Sequence, residues 1–236
     1  MEAGRSIKDA MERKDKNMSE KNNQNCVWIG ISVDIEKLEL RRDIVEMNNL
    51  LVGEYGANKS FAGGECPHLN LYDLSVPREN LELIVKKVKE ITESQKIFEI
   101  EMGKVNYFPF GLFFLEIKMN VILNGMHKKI VEEIVKLKGS CIDEDYLAPH
   151  RQYSKRQKEL LMQYGNPYVL DQFQPHITVG HTRNQQDKLD AICKELSKIA
   201  PMTNFRVESV HIVTDGEKDN KKKNASRILL AGESVS

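Results

Sequence analysis

Pro67-His68-Leu69-Asn70-Leu71 and Pro175-His176-Ile177-Thr178-Val179 are the two stretches that decide how this chain folds. Each sets a histidine two positions before a small polar residue inside an apolar run. Side chains alternate across a strand, so His68 and Asn70 share one face, and Pro67, Leu69 and Leu71 take the other. The second copy repeats this, with His176 and Thr178 on one face and Phe173, Pro175, Ile177 and Val179 opposite. An imidazole and a hydrogen-bonding partner about 7 Å along the same face, presented twice, suit acid–base work around a phosphate.

Outward from these motifs, the folded part begins near Cys26, where Val27, Ile29, Ile31 and Val33 alternate with Trp28, Gly30 and Ser32 as a strand. Residues 36–52 carry Leu40, Ile44, Met47 and Leu51 at helical spacing, and a loop holding Gly53, Gly56, Gly63 and Gly64 leads into the first motif strand at 67–74. Pro77 suits the first turn of a helix whose apolar stripe is Leu81, Ile84, Val85, Val88 and Ile91. Strands are predicted at 97–107 and 112–120, then a helix over 121–138. Residues 139–172 break the rhythm and form an irregular insert with a short helix near 154–164. The second motif strand (173–181), a helix (185–199) and strands near 204–214 and 226–232 complete the chain, with Lys221, Lys222 and Lys223 at a solvated hairpin tip. Each motif strand is followed by a helix and two strands. This weak internal repeat predicts two similar α+β lobes facing across a groove, one histidine from each. Residues 1–25 are polar and charged and are expected to be a disordered tail, leaving 26–236 as the two-lobed domain.

Composition narrows the function. The chain has 236 residues, 40% of them hydrophobic, and its 35 Lys and Arg balance 35 Asp and Glu. Zero formal charge excludes a general nucleic-acid coat and makes duplex DNA a poor partner, leaving room for a local basic cleft. Cys26, Cys66, Cys141 and Cys193 form no CxxC pair and no ligand cluster with histidine, which argues against structural zinc and points to a reducing compartment. No long apolar span or signal-peptide core occurs, so the expectation is a soluble cytoplasmic protein without a membrane partner. The Gly53–Gly64 loop matches neither a P-loop nor a Rossmann fingerprint, and HExxH and EF-hand patterns are missing. No metal and no cofactor are expected.

His68-Leu69-Asn70-Leu71 and His176-Ile177-Thr178-Val179 resemble the paired H-x-[ST]-x motifs of the 2H phosphoesterase superfamily, which includes two-histidine RNA 2′,5′-ligases and cyclic phosphodiesterases. The second motif matches; the first departs from the pattern at Asn70, where the family has Ser or Thr. Tyr164-Gly165-Asn166-Pro167-Tyr168-Val169, running on to Pro175-His176, also resembles a bacterial subgroup found near phosphonate-utilisation genes. The resemblance implies an α+β bilobal fold, two pseudo-symmetric antiparallel-sheet lobes with outer helices around a central cleft. It implies metal-independent chemistry on phosphodiesters, often 2′,3′-cyclic phosphates or 2′,5′ linkages, with a nucleotide or short RNA as partner.

Such hydrolysis needs a base to deprotonate water and an acid to protonate the leaving oxygen, roughly in line through phosphorus. Either histidine can fill either role; by analogy with relatives, His176 is taken as base and His68 as acid. Thr178 would donate its hydroxyl to a non-bridging oxygen, and Asn70 its amide NH₂. Alternation puts Tyr72 on the His68 face, where it could stack on a base or bond a phosphate. Tyr168 and Arg151 in the insert could form a lid, with Arg151 as phosphate clamp. Trp28, off the core face of its strand, could stack a nucleobase. His127, His150, His181 and His211 are expected to be structural or exposed, and His181 and Arg183 stand nearest the cleft rim. Two other functions share these residues: a non-catalytic nucleotide or RNA sensor, favoured by Asn70, and a phosphodiesterase for a small cyclic sugar phosphate of phosphonate metabolism.

Overall fold

Hydrophobic alternation in the first strand lays down the core on which everything else is hung. In the computed structural model, β1 (Cys26–Asp34) buries Val27, Ile29, Ile31 and Val33 on one face, while Trp28 and Asp34 stand half-buried on the other. The structure describes residues 25–58, 60–61, 66–149, 151–182, 185–201, 203–214 and 224–231. Almost all of the expected tail, together with Gly63, Gly64, His150, Arg183 and the Lys221–Lys223 hairpin tip, lies outside the described residues. After β1 come α1 (Leu38–Tyr55), β2 (His68–Pro77), α2 (Leu81–Glu93), β3 (Phe98–Ile100), β4 (Met102–Phe108), β5 (Leu112–Ile117) and α3 (Val121–Ile134). The insert contributes α4 (Lys155–Tyr164), opened by a capping box between Ser154 and Gln157. Then follow β6 (His176–His181), α5 (Leu189–Ile199), β7 (Phe205–Val207), β8 (Ser209–Thr214) and β9 (Asn224–Leu229).

The strands run in the order β4-β5-β6-β2-β1-β8-β9, each antiparallel to its neighbours. The sheet is continuous across its middle through one residue pair only, Leu69 with Ile177. It is therefore two lobes, β4-β5-β6 covered by α1 and α5, and β2-β1-β8-β9 covered by α2 and α3. The two motif strands meet at the seam. The strands expected at 97–107 and 204–214 are each broken, at the exposed residues Glu101 and Glu208. The freed first pieces, β3 and β7, pair with each other in a separate small sheet.

The lobes do not correspond to the two halves of the internal repeat. The β4–β5 hairpin follows β2 in the chain but joins β6; β8 and β9 follow β6 but join β1. Each lobe thus takes its motif strand from one half and a hairpin from the other.

Both motif strands carry a bulge at the fourth motif residue. Ile31 pairs with Tyr72 and Ser32 with Asn70, leaving Leu71 unpaired; Phe113 pairs with Gly180 and Phe114 with Thr178, leaving Val179 unpaired. A bulge orphans backbone groups, and a buried orphan carbonyl needs a donor. His127 of α3 donates Nδ1–H to the Leu71 carbonyl at 2.8 Å, and Asn48 of α1 donates Nδ2–H to the Val179 carbonyl at 2.9 Å. Both side chains are buried.

The bulge in β2 corrects the expected position of Tyr72. One extra residue reverses the alternation, so Tyr72 opposes Ile31 on the core face and is buried, with its hydroxyl donated to the Tyr164 carbonyl. Asp73, opposite Gly30, takes the place on the His68 face.

Cys26 and Cys141 form a disulfide that ties the start of β1 to the start of the insert, while Cys66 and Cys193 are free thiols. The expectation of a reducing compartment rested on cysteines with no CxxC pair and no ligand cluster, and this disulfide, formed across a sequence separation of 115, counts against it. Among the described residues, no helix is long and apolar enough to cross a membrane.

Candidate active site

His68 and His176 stand at the first positions of β2 and β6, one exposed and one half-buried. Each ring is held the same way. His68 Nδ1 lies 3.1 Å from the Cys66 carbonyl and His176 Nδ1 lies 2.8 Å from the Gln174 carbonyl, two residues upstream in each case. A carbonyl only accepts, so both rings carry their proton on Nδ1, and each neutral imidazole keeps an Nε2 lone pair. Antiparallel pairing of Leu69 with Ile177 then sets His68 beside Thr178, and Asn70 beside His176, on the face turned away from the core.

The two imidazoles are not equivalent. His176 sits against Phe108 and Phe114, with ring centroids 5.7 and 5.0 Å away. Burial, and the neighbouring charge of His68, hold His176 below the ordinary histidine range. A ring held below that range offers its Nε2 lone pair to a proton. Among the described residues no hydrogen bond claims the Thr178 hydroxyl.

Around Asn70 the structure places a half-buried hydrogen-bond network, with Asn166 its buried member, that sequence reasoning missed. Asn70 Nδ2 donates to Asp73 Oδ1. The same carboxylate receives Tyr146 Oη–H at 2.7 Å, Asn166 Nδ2–H at 3.0 Å and the Trp28 side chain. Burial pushes the Asp73 carboxyl above the usual carboxylate range, and the four donors offset only part of that rise. Gly30 makes the Trp28 contact possible: a Cβ there would come within 2.7 Å of the indole lying over it. Asn166 also donates to the Asp73 carbonyl and accepts from the Tyr168 backbone N–H at 2.7 Å. Asn166 belongs to the stretch before the second motif that stood out in the sequence. Asp73 and Tyr146 had no such signal, because the bulge that turns Asp73 to this face leaves no mark in the alternation.

The structure brings His68, His176, Asn70 and Thr178 together, with Trp28 beside them through Asp73. Tyr168 and Arg151 gather around Tyr146 in the insert: the Tyr168 ring is 6.4 Å from the Tyr146 ring, and the Arg151 guanidinium lies 5.9 Å above it. Tyr72 is not brought to the site. On the far side of β1, His211 links Asp34 (3.2 Å) to Ser209 (3.0 Å). The pattern has the outline of a nucleophile triad, but the Ser209 hydroxyl is buried and donates its proton to Glu36 at 2.6 Å, so it is not a nucleophile. Among the described residues, no three His, Cys, Asp or Glu side chains could hold a metal ion.

Two lobes joined at a pair of adjacent histidine strands define a two-histidine phosphoesterase-like fold. A profile of the 2′-5′ RNA ligase superfamily matches residues 39–219, and the chain belongs to that family, the 2H phosphoesterases. Among solved structures, TT0787 of Thermus thermophilus is similar at 16% identity with a TM-score of 0.55, covering 87% of this chain and 99% of that one. Escherichia coli LigT is similar at 12% identity and a TM-score of 0.50, covering 88% and 99%, both in its apo form and in complex with 3′-AMP. No curated protein sequence matches the chain.

Proposed function

We propose that this chain is a metal-independent phosphodiesterase acting on a cyclic or 2′,5′-linked nucleotide, or on the cyclic phosphate of an RNA end. The observation that carries the reading is the pair of matched rings. Two histidines on adjacent strands, each fixed through Nδ1, offer two Nε2 atoms to one face. In the forward direction, His176 takes a proton from water as its oxygen bonds to phosphorus. The opposite P–O bond breaks, and His68 gives a proton to the departing oxygen. Thr178 and Asn70 donate to the non-bridging oxygens, whose charge is redistributed at that moment. The reverse reaction exchanges the two roles. A nucleotide fits the aromatic surroundings: Phe108 and Phe114 beside His176, Trp28 and Tyr168 towards the insert. LigT, a structural relative, is seen in complex with 3′-AMP, which agrees with a nucleotide partner.

The test is a turnover screen in EDTA with wild type and the His68→Ala/His176→Ala double variant. The panel holds 2′,3′-cyclic mononucleotides, 2′,5′-linked oligoadenylates, cyclic dinucleotides and a cyclic ribose phosphate, with products read by mass. Turnover by wild type alone supports the mechanism and names the linkage. Equal turnover by the double variant would falsify it. Tight nucleotide binding with no turnover of any compound would instead favour a sensor, the reading for which Asn70 speaks.

A further inference from the structure

We propose that Asp73 is a positioning residue. It holds the Asn70 amide with its NH₂ presented to a substrate phosphate, and it joins that presentation to the docking of the insert. The inference rests on the reading of Asn70 as a phosphate ligand.

The need for such a residue follows from the chemistry of position 70. A threonine hydroxyl rotates until its proton meets whatever oxygen is present. An asparagine amide has two unlike ends, and half a turn replaces NH₂ with a carbonyl oxygen, which repels a phosphate. A carboxylate alongside removes the ambiguity, because only the NH₂ end can face it. Asn70 Nδ2 donates one hydrogen to Asp73 Oδ1, and the second Nδ2 hydrogen remains for an anion. A protonated Asp73 would weaken this arrangement. The other donors that converge on it, from Tyr146, Asn166 and Trp28, all suit the ionised form.

The internal repeat supplies a control. Both motif strands bulge just after the small polar residue, so the residue three positions on returns to the same face in each. After Asn70 that residue is Asp73. After Thr178, whose hydroxyl needs no orienting, it is His181, which turns to the Phe110 carbonyl at 3.0 Å. The carboxylate accompanies the amide. Because Tyr146 and Asn166 belong to the insert, anything that lifts the insert also releases Asp73 from two donors and loosens its hold on Asn70.

The experiment combines side-chain amide NMR with calorimetric titration of 3′-AMP and of inorganic phosphate, on wild type, D73N, N70T and N70T/D73N. In wild type the Asn70 Nδ2–H₂ pair is expected to shift when either ligand binds. D73N is expected to weaken 3′-AMP binding about tenfold when Asn70 is present, and less than about twofold in the N70T background. Activity on a cyclic nucleotide, where found, should show the same dependence in KM and in kcat. Equal weakening in both backgrounds means that Asp73 only supports the fold, and overturns the proposal. So does an Asn70 amide pair that neither ligand moves, an outcome wild type alone decides should D73N fail to fold. If wild type binds 3′-AMP with the expected coupling but hydrolyses nothing, the phosphodiesterase reading fails and this inference stands.

Discussion

His127 and Leu71 are joined by a 2.8 Å hydrogen bond at the one residue where β2 loses its partner on β1. The other ring nitrogen of His127 accepts the backbone N–H of Leu170 at 2.9 Å, and Phe173 stacks on the ring at 3.7 Å. Leu170 is held at φ +56, a left-handed conformation that a leucine seldom adopts. One buried imidazole therefore braces the first motif strand and the approach to the second.

That ring must be neutral, since a proton on its second nitrogen would oppose the Leu170 N–H. Burial lowers its pKa to about 4. A pKa lower in the folded state than in the unfolded chain means stability is complete above pH ~6.5 and falls as pH drops towards 4, by roughly 3 kcal/mol from this group. Urea midpoints at pH 7.5 and 4.5 test this. H127Q should be less stable at pH 7.5 and lose less on acidification; parallel losses in both proteins would refute the role of His127.

Asn48 does for Val179 what His127 does for Leu71, so Asn48→Ala should leave a buried carbonyl orphaned. The expected cost is about 1–3 kcal/mol in chemical denaturation. Because Val179 adjoins Thr178, activity should fall as well, at temperatures where the variant is still folded. Full activity together with full stability would show that the bulge holds itself.

The neighbouring charge on His68 helps to hold His176 below the usual histidine range. Removing it with His68→Ala should raise the His176 pKa, visible in the titration of its ring protons, while the fold is retained because His68 is exposed. Each single alanine variant should lose at least about a hundredfold in activity, the usual worth of a general acid or base. If His176 is the base, the acid limb of the rate profile lies below pH ~6.5. An unmoved His176 titration in H68A would mean the two rings do not sense each other.

Reducing the Cys26–Cys141 bond frees a loop of 115 residues, for which loss of the cross-link is expected to cost about 2–5 kcal/mol. Thermal melts with and without dithiothreitol, repeated on C26S/C141S, check this. A drop on reduction in wild type, and none in the variant, assigns the effect to this bond.

What could be read from the sequence was whatever depends on near neighbours. The faces of β1, the helix stripes and the paired histidines all follow from periodicity, and His68, Asn70, His176 and Thr178 do share a face. The misreading of Tyr72 and the omission of Asp73 have one cause: a single extra residue at Leu71 inverts the alternation beyond it. The exchange of hairpins between lobes, the small β3–β7 sheet and the Cys26–Cys141 bond depend on partners far along the chain. Nothing in the local pattern of Phe98–Ile100 or Phe205–Val207 names the other.

The exchanged hairpins bear on how the protein comes into being. As the chain leaves the ribosome, β1 and β2 emerge early, but β1 must wait for β8, and β4 and β5 must wait for β6. Neither half of the polypeptide can settle into a lobe of its own. The two histidines are brought face to face only when most of the chain has been made, through contacts between its distant ends, which favours slow, all-or-none assembly over stepwise growth.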